Sequence, residues 1–217
     1  MTRRMTALAT VALALVLGLT HGPACAEAMA LKLLPNYSRA TFKSDAPLET
    51  FVGNTAAEGI AGILTVDPER PQTATGSIKV DMNLVRTGID KRDADMRGKN
   101  FLDTDVDANR WVTYEIKSVE IAGPLEPGKA VPAKVRGILT VKQRPVERVA
   151  DTTVTWIKLT PAHLESQKRF GFTADNIKVR ARFATTFTDH AMQVPQLLIF
   201  KVSNEIQLET DLTFARQ

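Results

Sequence analysis

Apolar and polar residues alternate with a period of two in segment after segment of this chain. No comparably strong helical pattern competes with them. Between Ser77 and Leu84, Ile78, Val80, Met82 and Leu84 alternate with Ser77, Lys79, Asp81 and Asn83. A period of two gives one apolar face and one wet face, the pattern of a half-buried antiparallel strand. Ile60, Gly62, Leu64 and Val66 repeat it. So do Val131, Ala133, Val135, Gly137, Leu139 and Val141, set against Lys134, Arg136 and Thr140. Ile177, Val179, Ala181, Phe183, Thr185 and Phe187 form a further row, and Ile206, Leu208, Thr210, Leu212 and Phe214 another.

The remaining segments read less cleanly. Glu27 to Pro35 is a loose lead-in, and Tyr37 to Lys43 is expected to be the first strand. Leu48, Thr50 and Val52 alternate weakly with Glu49 and Phe51. From Trp111 to Ile121 the phase changes after Ile116, which predicts a bulge near Lys117-Ser118. Asp67 to Pro71 and Gly123 to Gly128 carry turn residues. Pro145 opens a strand running to about Leu159, and Pro161 to Asn176 is a polar connection with room for a helical turn. The expected total is eight or nine strands. Helices strong enough for a parallel βαβ sheet are absent, so a sandwich or a closed barrel remains. Alternation alone does not separate the two.

One interruption stands out. After the Ser77–Leu84 row, Thr87-Gly88 marks a turn. Ile89 to Arg97 then places Ile89, Arg92 and Met96 at helical spacing among opposite charges three and four apart. Gly98 ends this short exposed helix, and Phe101-Leu102-Asp103 returns to an apolar surface. A strand therefore runs into a charged helical lid before the next strand begins near Trp111.

Arg86-Thr87-Gly88, Lys91-Arg92-Asp93, Met96-Arg97 and Asn100-Phe101-Leu102-Asp103, taken in that order, resemble the central signature of the YceI-like family. Gly137 to Val141 resembles that family's glycine-led strand. Asp189-His190-Ala191-Met192 resembles its Asp-Phe-Gly-Ile-type turn, and Ile206 to Leu212 its closing strand. The likeness runs from about Tyr37 to Phe214. It implies an all-β, antiparallel lipocalin-like barrel of about eight strands with a short helical lid, binding polyisoprenoids or other long apolar lipids. The chain departs from the pattern at Asp95-Met96, where the family often has His-Leu, and at Ala191, where glycine is common. The short loop Lys142–Pro145 also lacks the usual glycine.

The first residues read as an address. Arg3 and Arg4 precede an apolar run from Ala7 to Leu19, and Ala24-Cys25-Ala26 offers small residues at a cleavage site. Residues 1–26 are therefore an expected signal peptide and 27–217 a single domain, placed in the periplasm. Cleavage after Ala26 would remove the only cysteine, so stability must come from the core. It would also lower the formal charge from +4 to +2, an excess too small to argue for nucleic acid. A second apolar span is missing, so no stable membrane insertion is expected. The resemblance permits a homodimer.

Little in the sequence points to catalysis. His163 and His190 fall in predicted loops without neighbouring ligands, and solvated loop histidines are the expectation. No metal site, cofactor motif or nucleophile elbow is found. The binding candidates are strand residues. If the barrel is hollow, Ile78, Val80, Met82, Val135, Leu139, Ala181, Phe183, Phe187, Ile206, Leu208 and Leu212 line a lumen; if it is solid, they are ordinary core. Arg92 and Arg97 are head-group candidates, because a guanidinium offers a planar fork of donors to phosphate. The alternative is a solvated helix whose arginines pair with Asp93, Asp95 and Asp103. The expected function is an exported, non-enzymatic binder of one long apolar lipid, of polyisoprenoid or isoprenoid-quinone type. Two other readings stay open: a ligand-free structural or stress-response envelope protein, and a lipid isomerase or cyclase.

Overall fold

The structure, a computed structural model, describes residues 28–197 and 199–217. The expected signal peptide, 1–26, lies outside the described residues. The strands are β1 (Met29–Leu33), β2 (Arg39–Ala46), β3 (Glu49–Thr55), β4 (Ile60–Val66), β5 (Thr75–Asp81), β6 (Val85–Arg86), β7 (Trp111–Ile121), β8 (Ala130–Val141), β9 (Arg144–Lys158), β10 (Asp175–Thr186), β11 (Gln196–Leu197), β12 (Phe200–Lys201) and β13 (Glu205–Arg216). Helix α1 spans Asp90–Arg97 and α2 spans Pro161–Gln167.

Eight strands close an antiparallel, lipocalin-like barrel in the order β1-β4-β5-β7-β8-β9-β10-β13, with β1 pairing back to β13. Closure leaves no free edge in that ring. Strand β13 is long enough to serve two neighbours. Its end, Phe214–Arg216, pairs with β1, while Gln207–Asp211 pairs with β2. Strands β2, β3 and β6 then widen the wall beside the upper half of the barrel.

The strong alternations fold as read. Residues 206–214 lie opposite 177–185 in continuous register, Phe214 facing Ile177 and Ile206 facing Thr185. The ladder between β7 and β8 shifts register between Ile116 and Ser118, at the expected bulge, and Ile121 thereby returns to the core. The tight β8–β9 hairpin turns through Lys142 and Gln143, both at positive φ (48° and 59°) without a glycine, the geometry of a primed two-residue turn.

Four expectations need correction. The lead-in to Pro35 contains β1, whose Met29, Leu31 and Leu33 are buried while Ala30 and Lys32 are exposed. Tyr37 belongs to a 3₁₀ turn, and β2 starts at Arg39. The Ile78 row ends at Asp81, because Met82–Leu84 forms a 3₁₀ turn capped by the Asp81 carboxylate, which accepts from Asn83 N–H at 3.0 Å. In β3 the inward parity is Phe51, Gly53 and Thr55 rather than Leu48, Thr50 and Val52.

Large side chains plug the end of the barrel where β1 sits. Met29, Leu31, Leu33, Ile60, Leu64, Val66, Ile177, Leu212 and Phe214 pack there into one buried cluster. At about 0.8 kcal/mol per buried methylene, this plug supplies much of the hydrophobic stabilisation of a chain with no disulfide to help it. Helix α1 and the connections 82–110 and 187–204 occupy the opposite end.

Candidate functional site: an apolar lumen

Above the plug the barrel is hollow. A cavity of about 860 Å³ runs upward from Leu212 and Phe214 to α1, near the top of the range for small-molecule sites. The reason lies in one row of side chains. Cross-strand register places Ala133, Thr152, Ala181, Thr210 and Ala40 side by side on β8, β9, β10, β13 and β2. Five adjacent inward positions thus carry only alanine or threonine. The row just below them, Val131, Val154, Val179 and Leu212, already belongs to the plug. Small side chains directly above large ones leave space that neither row fills.

Aromatic and aliphatic side chains wall the lumen above that row. Ile78 and Val80 enter from β5, Met82 from the turn after it, and Val135 and Leu139 from β8. Ala181 and Phe183 enter from β10, Phe187 from just beyond it, and Ile206, Leu208 and Leu212 from β13. All eleven lumen candidates therefore line the cavity. Phe187 does so from a helical conformation outside its expected strand (φ −57°, ψ −43°).

Glycines make room for two of the rings. A Cβ on Gly137 would lie 2.5 Å from the Tyr114 ring, and one on Gly53 would lie 2.1 Å from Phe42. Each ring therefore lies flat against a neighbouring strand. The Tyr114 ring also contacts Phe183, with centroids 5.2 Å apart.

The ionisable groups divide by depth. Lys91, Arg92, Asp95 and Lys99 line the cavity only at its mouth beside α1. Deeper in the wall stand Tyr114 and His190, and the protons of both are committed. The Tyr114 hydroxyl is shared between the carbonyls of Val135 (2.8 Å) and Arg148 (3.0 Å). Burial pushes its pKa up to about 12.

His190 corrects the solvated-loop expectation, since it is 0% exposed. Its Nδ1 faces the Arg144 carbonyl at 3.2 Å, and its Nε2 faces Thr185 Oγ1 at 2.7 Å. A neutral ring that donates from Nδ1 and accepts at Nε2 satisfies both contacts. Arg148 donates to Thr185 Oγ1 at 3.2 Å and pairs with Asp189. Burial holds the His190 pKa below its ordinary value, against the pull of the Arg144 carbonyl and Asp189. His163 is exposed, in α2.

At the mouth, the two arginines differ. Arg92 lines the cavity, bonds Glu49 Oε1 at 2.7 Å and stacks on Phe51 with its guanidinium 4.5 Å from the ring centroid. This ties α1 to the β2–β3 hairpin. Arg97 is not among the lining residues; it donates to the Val85 carbonyl at 3.3 Å. Neither arginine pairs with Asp93, Asp95 or Asp103. The Asp93 carboxylate is buried and accepts from Thr87 N–H (2.8 Å) and Oγ1 (2.7 Å), and Asp95 pairs with Lys91. Nearby, the Arg110 guanidinium holds the buried Asp81 carboxyl below the usual carboxylate range. That pair anchors the turn carrying Met82.

A closed antiparallel barrel with a blind apolar lumen defines a lipocalin-like binding architecture. The YceI-like domain matches residues 31–214, and the chain belongs to that family. Similar solved structures include a polyisoprenoid binding domain from Saccharophagus degradans implicated in plant cell wall breakdown. It shares 15% identity at a TM-score of 0.63, over 87% of this chain and 99% of that one. BcnA of Burkholderia cenocepacia is 14% identical at a TM-score of 0.62, over 83% and 98%. The YceI protein of Campylobacter jejuni is 15% identical at 0.58, over 76% and 84%. No curated protein matches the chain by sequence.

Proposed function

We propose that this chain is an exported, periplasmic carrier that holds one long apolar molecule, of polyisoprenoid or isoprenoid-quinone type, in its lumen. The observation that carries this reading is the cavity of about 860 Å³, walled by apolar side chains and closed below by the plug. An apolar chain threaded into it leaves water at roughly 0.8 kcal/mol per methylene, before ordering and association costs. The polyisoprenoid-binding domain among the similar structures supports the choice of ligand class. The start of the chain supports export, with Arg3, Arg4 and the apolar run to Leu19 ahead of Ala26.

The polar groups support binding without bond-making. General acid–base chemistry needs a group free to take or give a proton at the reacting atom, and in the deep lumen Tyr114 and His190 are both engaged with the protein. Arg92 is committed to Glu49. The lumen thus suits an uncharged chain, with any polar end left at the mouth.

The test is native mass spectrometry of protein purified from its own host, with solvent extraction of the same sample. One non-covalent apolar mass per chain is expected. A bare chain that also fails to take up an added polyprenol would leave the structural reading in its place.

A further inference from the structure

Of the large apolar side chains that the fold leaves in water, four gather on loop tips at the open end of the barrel, while Ile63, Val149 and Ile157 stand singly on strands β4 and β9. Ile199 is 82% exposed, Leu48 68%, Ile89 47% and Val106 45%. Each sits in a connection at the end where β5, β8 and β10 finish and β7, β9 and β13 begin. Their elements are tied together around the mouth. Arg92 links α1 to Glu49 beside Leu48. Ser203 N–H donates to the Asp45 carbonyl at 2.6 Å, and the Ser44 hydroxyl donates to the Glu205 carbonyl at 3.1 Å, fixing the 196–201 hairpin to β2. Ile89 both lines the cavity and faces solvent, so at that tip the lumen wall reaches the rim. At the plugged end the exposed aromatics have partners: Tyr37 lies 4.7 Å from Phe172, and Arg169 covers Phe170.

We infer that this rim docks on the surface of a lipid bilayer, with Leu48, Ile89 and Ile199 dipping into the interface while the lumen exchanges its ligand. This rests on the carrier reading above. A long apolar chain barely exists free in water, so a barrel that takes one up must meet the membrane that dissolves it. The rim is electrically balanced: residues 45–49, 86–110, 142–144 and 189–205 carry nine Lys and Arg against ten Asp and Glu. That balance fits a net-neutral zwitterionic surface better than an anionic one, where clustered basic residues would be needed. Isolated tips around an open mouth lack the continuous packed area, about 800 Å² per partner, that a stable protein interface requires. Among the described residues no helix is long and apolar enough to cross a membrane. The contact is therefore shallow and reversible, as the few side chains available dictate.

The experiment uses the full mature chain and phosphatidylcholine vesicles, with binding read by co-sedimentation at low salt and at 1 M salt. Ligand content is measured on the same preparations by solvent extraction. The variant is Leu48→Ser with Ile199→Ser, two tips that do not line the cavity, and its thermal unfolding is checked first. The expected result is vesicle binding that salt changes little and that the variant weakens roughly tenfold, with the bound lipid unchanged. Transfer of a preloaded polyprenol to acceptor vesicles should slow in parallel. Lipid-loaded protein that ignores vesicles overturns the docking inference and leaves the carrier reading standing. Vesicle binding by a protein that never holds lipid does the reverse. Binding only to anionic vesicles, abolished by salt, refutes insertion. So does a dimer that the variant dissociates, which would assign the tips to a second copy of the chain.

Discussion

Whether the barrel is functionally hollow turns on Ala181. It sits between Thr152 and Thr210 in the row of small side chains and lines the cavity just above the plug. Replacing it with Phe adds a ring at the deepest point a ligand would reach. In a filled core, overpacking of this kind costs typically about 1–3 kcal/mol. Here a space of about 150 Å³ suffices for a benzene-sized ring, against a cavity of about 860 Å³. Ala181→Phe should therefore leave the delipidated fold within about 1 kcal/mol of the parent. The ligand should suffer instead. Displacing three methylenes at roughly 0.8 kcal/mol each removes about 2.4 kcal/mol, near a 50-fold loss of affinity. Urea unfolding of delipidated protein and binding of a fluorescent polyprenol, on one preparation, measure both quantities. Ala184→Phe, on the exposed face of the same strand, is the control and should change neither. A loss of more than about 3 kcal/mol in Ala181→Phe, with no lipid on the parent, would refute the hollow-barrel argument.

Further outcomes follow from the polar groups and the glycines. His190 has a folded pKa below its ordinary value of 6.5, so the unfolded chain takes up its proton first. That contribution to stability is whole above about pH 6.5 and is lost as pH falls further, until the folded ring also protonates. His190→Phe should flatten the decline in urea midpoint below about pH 6.5; an unchanged slope would refute the assignment. Gly137→Ala sets a Cβ against the Tyr114 ring and 2.6 Å from the Glu115 carbonyl oxygen and should cost about 1–3 kcal/mol, read by urea unfolding; a neutral result would mean that both the ring and the β7 backbone give way. Arg92→Gln removes the pair with Glu49, worth up to about 1 kcal/mol. It should speed ligand exchange by up to about fivefold, equally for a polyprenol and its pyrophosphate. A selective loss of the pyrophosphate would instead make Arg92 a head-group ligand.

Strand identity and inward parity were legible along most of the chain because a period of two is a local property. Val131–Val141 and Ile206–Phe214 show every inward side chain without reference to any other segment, and the phase change after Ile116 gives away its own bulge. Strand β1 escaped because five residues carry little pattern; it is held by its two partners, β4 and β13. The burial of His190 was equally hidden, for its hydrogen-bond partners lie at Thr185 and the Arg144 carbonyl. The available signal was its place in the Asp-His-Ala-Met turn, where the family carries an apolar Phe. Least legible was the lumen itself. Ala40, Ala133, Thr152, Ala181 and Thr210 are scattered over 171 residues of sequence, and only register gathers them. A slip of one residue would turn a strand's inward face to solvent and is strongly excluded. A slip of two would preserve parity yet bring Phe183 opposite Thr210, scattering the small residues among large ones. Alternation is blind to that difference. The turn lengths and the bulge that fix register therefore decide whether this barrel packs solid or keeps space for a ligand.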